Sequence, residues 1–292
     1  MVGTRERMID SFTILSKNHF LLGVHNRNAR ESSVPSLDVY EFGRTMDTPI
    51  LRRQFQLPDL SSENDDVELD VHAEPMPNRA THSDSPFFSS PASRACTVNV
   101  TLGGGDERSS FFFLINKLLE RVSDPTLGRV AIPWEDWGVP TRWFKEPMPD
   151  TAWVRIISQR RSGPKSLKTL TKVCYSHNSR IISRAKGGAA VTDFNPWSLR
   201  KPKVPGVNFD SWLSPHKPKA PGGCTTVDVD RKSVFDSRYI VEPVKTRLPY
   251  RLSHKGDIPN YSAFMIDDEH IYGVVVSHSS RSMRYELTKD RI

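Results

Sequence analysis

Cysteine and long apolar runs are both scarce in this sequence. Its 292 residues include three cysteines, Cys96, Cys174 and Cys224, which are odd in number and far apart. This spacing argues against a disulfide framework and favours a reducing compartment, either the cytoplasm or the nucleus. No apolar run approaches the roughly 18 residues that a membrane helix requires, and residues 1–7 lack the apolar core of a signal peptide. We therefore expect a protein without membrane contact.

The motifs of common enzyme classes are also missing. We find neither a Gly-x-Ser-x-Gly elbow nor a catalytic-cysteine signature. The glycine run 103–105 is not followed by the Gly-Lys-Ser/Thr of a phosphate-binding loop, so it is interpreted as a hairpin turn. The Asp-Asp-Glu-His sequence at 267–270 is interpreted as a solvated turn, and Cys174 with His177 as half of a zinc pattern. We predict no catalytic residue, no cofactor and no metal site.

What the chain does contain is a series of short runs in which apolar and polar residues alternate between turn residues. Examples are 11–15 with 19–24, and 96–102 with 110–115 on either side of the glycine turn. A period of two is typical of half-buried strands, and prolines and glycines punctuate the runs. The pattern predicts roughly fourteen strands. Only 116–122 has apolar residues at helical spacing.

Short strands at regular spacing indicate an all-β fold built from propeller-like antiparallel blades. A blade takes about 40–45 residues, which leaves room for roughly three to four blades and makes the propeller incomplete. We expect a single β-propeller-like domain over 1–292, with long loops at 58–92 and 196–224. Because an open ring exposes strand edges, the isolated chain is expected to be marginally stable, oligomeric or dependent on further blades.

Charge is unevenly distributed along the chain, although the formal net charge is only +7. Residues 59–74 carry seven acidic and no basic side chains, and residues 153–219 carry fourteen basic and two acidic ones. The basic stretch is interpreted as solvated loops and strand edges, which discourage aggregation. The alternative is a nucleic-acid-binding surface, because aromatic residues such as Trp153 and Tyr175 are interleaved with the basic ones.

Several segments taken in order resemble the C-terminal β-region of fungal, basidiomycete-type F-box proteins. They are DSFTIL at 10–15, FLLGV at 20–24, PSLDVY at 35–40, IPWEDWG at 132–138, TRWF at 141–144, VTDFNP at 191–196, RLPYR at 247–251 and FMIDDEHIYG at 264–273. The resemblance implies a propeller-like domain that recognises substrates for a cullin-RING ubiquitin ligase. The leucine-rich F-box segment itself is not found here, so a Skp-type adaptor is expected as a partner only if an F-box lies upstream.

These observations predict a non-catalytic protein-interaction scaffold with an unidentified protein partner. The candidate partner-binding residues are Trp134, Trp137, Arg142 and Trp143, because tryptophan and arginine dominate the energetics of protein interfaces. The alternative is that these aromatic side chains pack between strands.

Overall fold

The computed structural model describes residues 7–26, 34–43, 47–61, 67–73, 94–126, 128, 130–145, 175–177, 180–185, 188–195, 199, 224–256, 263–266, 270–279 and 282–291. Most of them lie in strands of several separate sheets. In chain order the strands are β1 (Arg7–Ser16), β2 (His19–Asn26), β3 (Ser36–Glu41), β4 (Ile50–Gln56), β5 (Val67–Ala73), β6 (Ala95–Leu102), β7 (Glu107–Leu114), β8 (Ala131–Ile132), β9 (Arg142–Lys145), β10 (Tyr175–His177), β11 (Arg180–Ala185), β12 (Gly188–Asp193), β13 (Cys224–Val229), β14 (Ser233–Phe235), β15 (Val244–Thr246), β16 (Tyr250–Gly256), β17 (Ala263–Ile266), β18 (His270–Ser279) and β19 (Ser282–Arg291).

Two compact units are distinguished by their internal contacts. Unit 1 comprises Met1–Glu146 and Asp230–Pro249, and unit 2 comprises Pro147–Val229 and Tyr250–Ile292. The all-β expectation is confirmed for the described residues. Strand pairing among those residues closes neither a barrel nor a propeller ring, so the number of blades and the single domain over 1–292 both stay predictions.

Unit 1 contains two larger sheets whose strands mostly follow the chain. The first has the order β1-β2-β3-β4-β8 and is antiparallel except for the last pair, and the second has the order β5-β6-β7-β9. The hairpin expected from 11–15 and 19–24 is confirmed as β1 and β2. The glycine turn is confirmed as the link between β6 and β7, where Gly103, Gly104 and Gly105 all have positive φ.

Among the described residues, two α-helices accompany these sheets, α1 (Ile115–Val122) and the four-residue α2 (Trp134–Trp137). The helical spacing of 116–122 therefore predicted α1 to within one residue. Ile115, Leu118 and Val122 are buried on one side of α1, and Lys117 pairs with Glu120 on the exposed side. These three side chains form part of the unit 1 core.

The expected loop at 58–92 is wrong at β5, which lies inside it. Val67, Leu69 and Val71 are buried at alternate positions, while Glu68 is exposed between them. The acidic composition hid a period-two pattern, because charged residues on one face of a strand are compatible with burial of the other. Residues 62–66 and 74–92 of the predicted loop lie outside the described residues, as does nearly all of 196–224.

One edge of β5 pairs with β6. The backbone groups on its other edge form hydrogen bonds with polar side chains of β1 rather than with the backbone of another strand. Leu69 N donates to Asp10 Oδ2 (3.0 Å), Val71 N donates to Ser11 Oγ (2.8 Å), Ser11 Oγ donates to Leu69 O (2.9 Å), and Ala73 N donates to Thr13 Oγ1 (3.1 Å). Each of these bonds satisfies a backbone group that a sheet edge would otherwise leave open. They join β1 of the first larger sheet to β5 of the second.

Unit 2 contains a sheet of order β10-β11-β12-β16-β13 and a meander of order β17-β18-β19. Ile182, Phe194 and Ile271 are among its buried residues. Arg251 forms two hydrogen bonds to the Asp228 carboxylate, at 2.6 and 3.0 Å, between the adjacent strands β16 and β13. These hydrogen bonds and the interaction with Asp228 raise the pKa of Arg251.

Candidate interaction surface

The four residues that the sequence singled out lie in the interior of unit 1. Trp134, Trp137, Arg142 and Trp143 are each at most 7% exposed. The prediction that these four residues bind a partner is therefore corrected, because side chains that are buried in the protein have little surface left for a partner. It favours the alternative that the tryptophans pack between strands.

The three indoles contact Phe111, a fully buried residue of the unit 1 core. The Phe111 ring centroid lies 4.8 Å from that of Trp143, 5.8 Å from Trp134 and 6.3 Å from Trp137. Trp143 also stacks on Phe235 of β14 at 4.9 Å. Most of these pairs are tilted or edge-on, the arrangements that aromatic quadrupoles prefer. This aromatic cluster stabilises the fold.

The backbone around α2 is shaped to bury these indoles. Trp137 donates its Nε1 hydrogen to Gln56 O on β4 at 2.8 Å, so its one polar group is satisfied inside the core. A Cβ at Gly138 would lie 2.1 Å from the Trp134 ring, so only glycine fits there. The sequence at 134–138 thus positions both tryptophans for burial in the unit 1 core.

Arg142 is buried by a different mechanism. Its Nε donates to Leu248 O at 2.8 Å, and both terminal nitrogens donate to Arg231 O at 3.1 Å. Backbone carbonyls provide the partial negative charge that a buried guanidinium requires. Arg142 therefore links β9 to the backbone of residues 231 and 248 by hydrogen bonds.

Unit 1 does have an exposed apolar surface, but it lies on the first sheet. Phe12 is 67% exposed and Ile14 is 41% exposed, although both lie in the middle of a ten-residue strand. Register pairs Phe12 with Leu22 and Ile14 with Phe20, which places these four side chains on one face. We name this face the β1–β3 patch, which comprises Ile9, Phe12, Ile14, Phe20, Leu22 and Tyr40.

The aromatic part of the β1–β3 patch is ordered by stacking. Phe20 pairs with Tyr40 across β2 and β3, and their rings are nearly parallel with centroids 5.3 Å apart. Beyond Leu22 the same face is buried, at Val24 on β2 and at Ser36 and Asp38 on β3, where Ser36 Oγ donates to Asp38 Oδ1 at 2.9 Å. The patch is therefore bounded on that side.

The opposite face of the same strands forms part of the core. Thr13, Leu21 and Val39 are paired across β1, β2 and β3 and are all buried. Both faces of the β1–β2 hairpin are thus rich in apolar side chains, a pattern that sequence reasoning associates with a strand covered on both sides. Only the structure shows that the part of one face around Phe12 and Ile14 is exposed.

Polar side chains lie near the hairpin end of β1, β2 and β3. Lys17 is exposed in the turn, and Arg52 forms an ion pair with Glu41. Burial lowers the pKa of His19, and the Glu41 carboxylate opposes this shift. Ser16 Oγ lies 2.9 Å from His19 Nδ1, within hydrogen-bond distance. Register places His19 and Glu41 on the face of Leu21 and Val39, opposite the β1–β3 patch.

Residues 267–269 and Cys174 lie outside the described residues. Within the described part of the chain, no group of three or more His, Cys, Asp or Glu side chains is arranged to hold a metal ion. None of the helices in that part has the length and apolarity needed to cross a membrane.

Comparison with known proteins identifies no relative. No protein-family model matches the chain, and no match is found among the curated proteins or the solved structures.

Proposed function

We propose that this protein is a non-catalytic protein-interaction scaffold and that the β1–β3 patch contacts its partner. The observation that carries the proposal is the exposure of Phe12, Ile14 and Ile9 on one face of an ordered strand. Burying a side chain of this size contributes about 1.5–3 kcal/mol. Contiguous exposed apolar surface on an ordered sheet is typical of interaction sites.

The finer form of the proposal is a propeller-like substrate-recognition region similar to that of fungal F-box adaptors. It is supported by the ordered series of sequence segments and by the four consecutive antiparallel strands β1 to β4, which have the connectivity of a blade. The partner is then a protein substrate of a ubiquitin ligase. Sequencing the 5′ end of the transcript tests this form, since the Skp-type adaptor is a partner only if an F-box is encoded upstream.

A photocrosslinking experiment tests the interaction surface. Benzoylphenylalanine is placed at Phe12 or, as the matched control, at Val234, which is exposed to a similar extent on β14. We expect a discrete crosslinked protein in cell extract from position 12 alone. With that protein purified, Phe12→Thr should weaken binding by at least about tenfold, which corresponds to 1.4 kcal/mol. Equal binding by Phe12→Thr and Val234→Thr contradicts the proposal.

The basic composition of 153–219 favours nucleic-acid binding as a second candidate function. In the described part of that stretch, Arg180 is paired with Asp193 at 3.3 Å, so at least one basic side chain has an internal partner. A nucleic-acid-binding protein is retained on heparin or RNA with a steep dependence on salt. Absence of retention at low salt removes this candidate.

A further inference from the structure

The chain leaves unit 2 after Val229, contributes residues 230–249 to unit 1 and returns to unit 2 at Tyr250. In unit 2, Val229 is paired with Tyr250 at the end of the antiparallel ladder of β13 and β16. Residues 230–249 therefore take the place of a hairpin loop in unit 2, and they are far longer than the about two to five residues that usually link such strands. We name residues 230–249 the shared segment.

The shared segment is packed as part of unit 1. Its buried side chains Phe235, Tyr239, Ile240 and Val244 belong to the hydrophobic core of that unit. A Cβ at Gly103 would lie 2.4 Å from the Tyr239 ring, so this ring packs directly on the glycine turn between β6 and β7. Unit 1 thus orders the shared segment, although both ends of the segment continue into strands of unit 2.

Within unit 1, one side chain binds both ends of the shared segment. The Arg142 guanidinium donates to Arg231 O near the start of the segment at 3.1 Å and to Leu248 O near its end at 2.8 Å. Ser233 and Thr246 are then paired in the ladder of β14 and β15. The two ends are therefore held together twice, by Arg142 in unit 1 and by the last pair of the β13–β16 ladder in unit 2.

Holding the ends together in one unit lowers the entropic cost of holding them together in the other. Closing a flexible loop costs conformational entropy that grows with the logarithm of its length. We propose that the shared segment couples the two units: its closure by Arg142 stabilises the pairing of β13 with β16, and that pairing stabilises the packing of the segment in unit 1. The coupling is reciprocal by thermodynamic necessity. Release of the segment from unit 1 therefore weakens β13 as well.

Two insertions of equal total length separate this coupling from an ordinary long loop. The neck insertion adds about four flexible Gly/Ser residues after Val229 and about four before Tyr250. The tip insertion, which is the matched control, adds about eight such residues after Glu242, which is exposed. Both variants lengthen the segment equally, but only the neck insertion adds chain between the Arg142 hydrogen bonds and the β13–β16 ladder.

Native-state hydrogen exchange of the β13 amides in the full chain measures the effect, and the β7 amides serve as the control for an intact unit 1 core. The neck insertion should lower the protection of the β13 amides about fivefold, because the chain between the two closures becomes about three times longer. The tip insertion should change this protection by less than about 1.5-fold.

An equal loss of protection in the two variants, or no loss in either, overturns the proposal, because an uncoupled loop responds to its total length alone. Arg142→Met removes the closure in unit 1 and should reduce the difference between the two insertions. A difference that is undiminished in Arg142→Met overturns the role of Arg142. The two insertions decide the coupling by themselves if Arg142→Met does not fold.

Discussion

Two apolar regions of unit 1 differ in what covers them. The aromatic cluster around Phe111 is enclosed by β4, β9, α2 and β14, whereas the β1–β3 patch has a core on one side only and solvent on the other. The sequence gives the cluster the stronger signature of a binding site, since it contains three tryptophans and an arginine within ten residues. The comparison teaches that the density of such residues does not indicate an interface, because a covering layer decides whether they are available.

Two phenylalanine substitutions test most directly whether the cluster is buried and the β1–β3 patch is exposed. Phe111→Ala leaves a cavity at the centre of the cluster and should reduce the free energy of unfolding by about 3–5 kcal/mol. Phe12→Ala changes an exposed side chain, and its effect should stay within about 1 kcal/mol. Urea unfolding monitored by tryptophan fluorescence measures both. Similar losses for the two variants would show that the β1–β3 patch is buried in solution.

A pair of arginines sharpens the comparison for charged groups. Arg142→Met leaves the carbonyls of Leu248 and Arg231 without their donors, and each unsatisfied group costs about 1–3 kcal/mol. Arg52→Met removes a half-exposed ion pair with Glu41 and should cost less than about 1 kcal/mol. Urea midpoints compare the two variants. An Arg142→Met protein as stable as Arg52→Met would show that the Arg142 hydrogen bonds do not stabilise the fold.

Thiol reactivity reports the same difference without a measurement of stability. Cys96 is fully buried, and burial raises the pKa of its thiol far above the ordinary value. In a Cys174→Ser/Cys224→Ser background, Cys96 should react with Ellman's reagent only as the protein unfolds. Adding Ile14→Cys to this background places a thiol on the β1–β3 patch, where we expect prompt reaction in native buffer. Slow labelling at position 14 would count against an open patch.

The smallest expected effect on stability concerns Asp10, which accepts a hydrogen bond from Leu69 N of β5. Burial raises the pKa of Asp10 above its usual 3.8, against the opposing effects of the Leu69 amide and His25. The folded chain therefore holds this proton more tightly than the unfolded chain. The contribution of Asp10 to stability is greatest below the usual pKa and declines as pH rises through the folded-state pKa.

Asp10→Asn removes this dependence on pH. We expect the stability of the variant, relative to wild type, to improve as the pH rises through that window, and urea midpoints of both proteins at several pH values measure it. A relative stability that falls over the same range would show that the hydrogen bonds from His25 and Leu69 outweigh burial at Asp10.

Local sequence patterns predicted the elements that depend on neighbours in the chain. The hairpin of β1 and β2, the glycine turn between β6 and β7, and α1 all follow from alternation, turn residues or helical spacing within a few residues. Strand β5 was missed because its three apolar residues alternate with charged ones in an acidic stretch, and composition was given more weight than period.

Long-range pairing could not be predicted in the same way. In unit 2, β16 pairs with both β12 and β13, although more than fifty residues separate β12 from β16 along the chain. No local signal records which strands meet, since a strand exposes the same backbone groups on either edge. The exposure of the β1–β3 patch was not predicted for a related reason. The identity of an apolar residue does not show whether another layer of the fold will cover it.

By itself, the sequence determined that this chain forms short antiparallel strands joined by turns, since period-two alternation and glycine placement act over a few residues. The tertiary structure alone decided that the tryptophans are enclosed, that Arg142 is held by carbonyls and that Phe12 and Ile14 face outwards. The physical reason is that burial depends on the whole set of surfaces that pack together, whereas strand formation depends on backbone geometry and near neighbours.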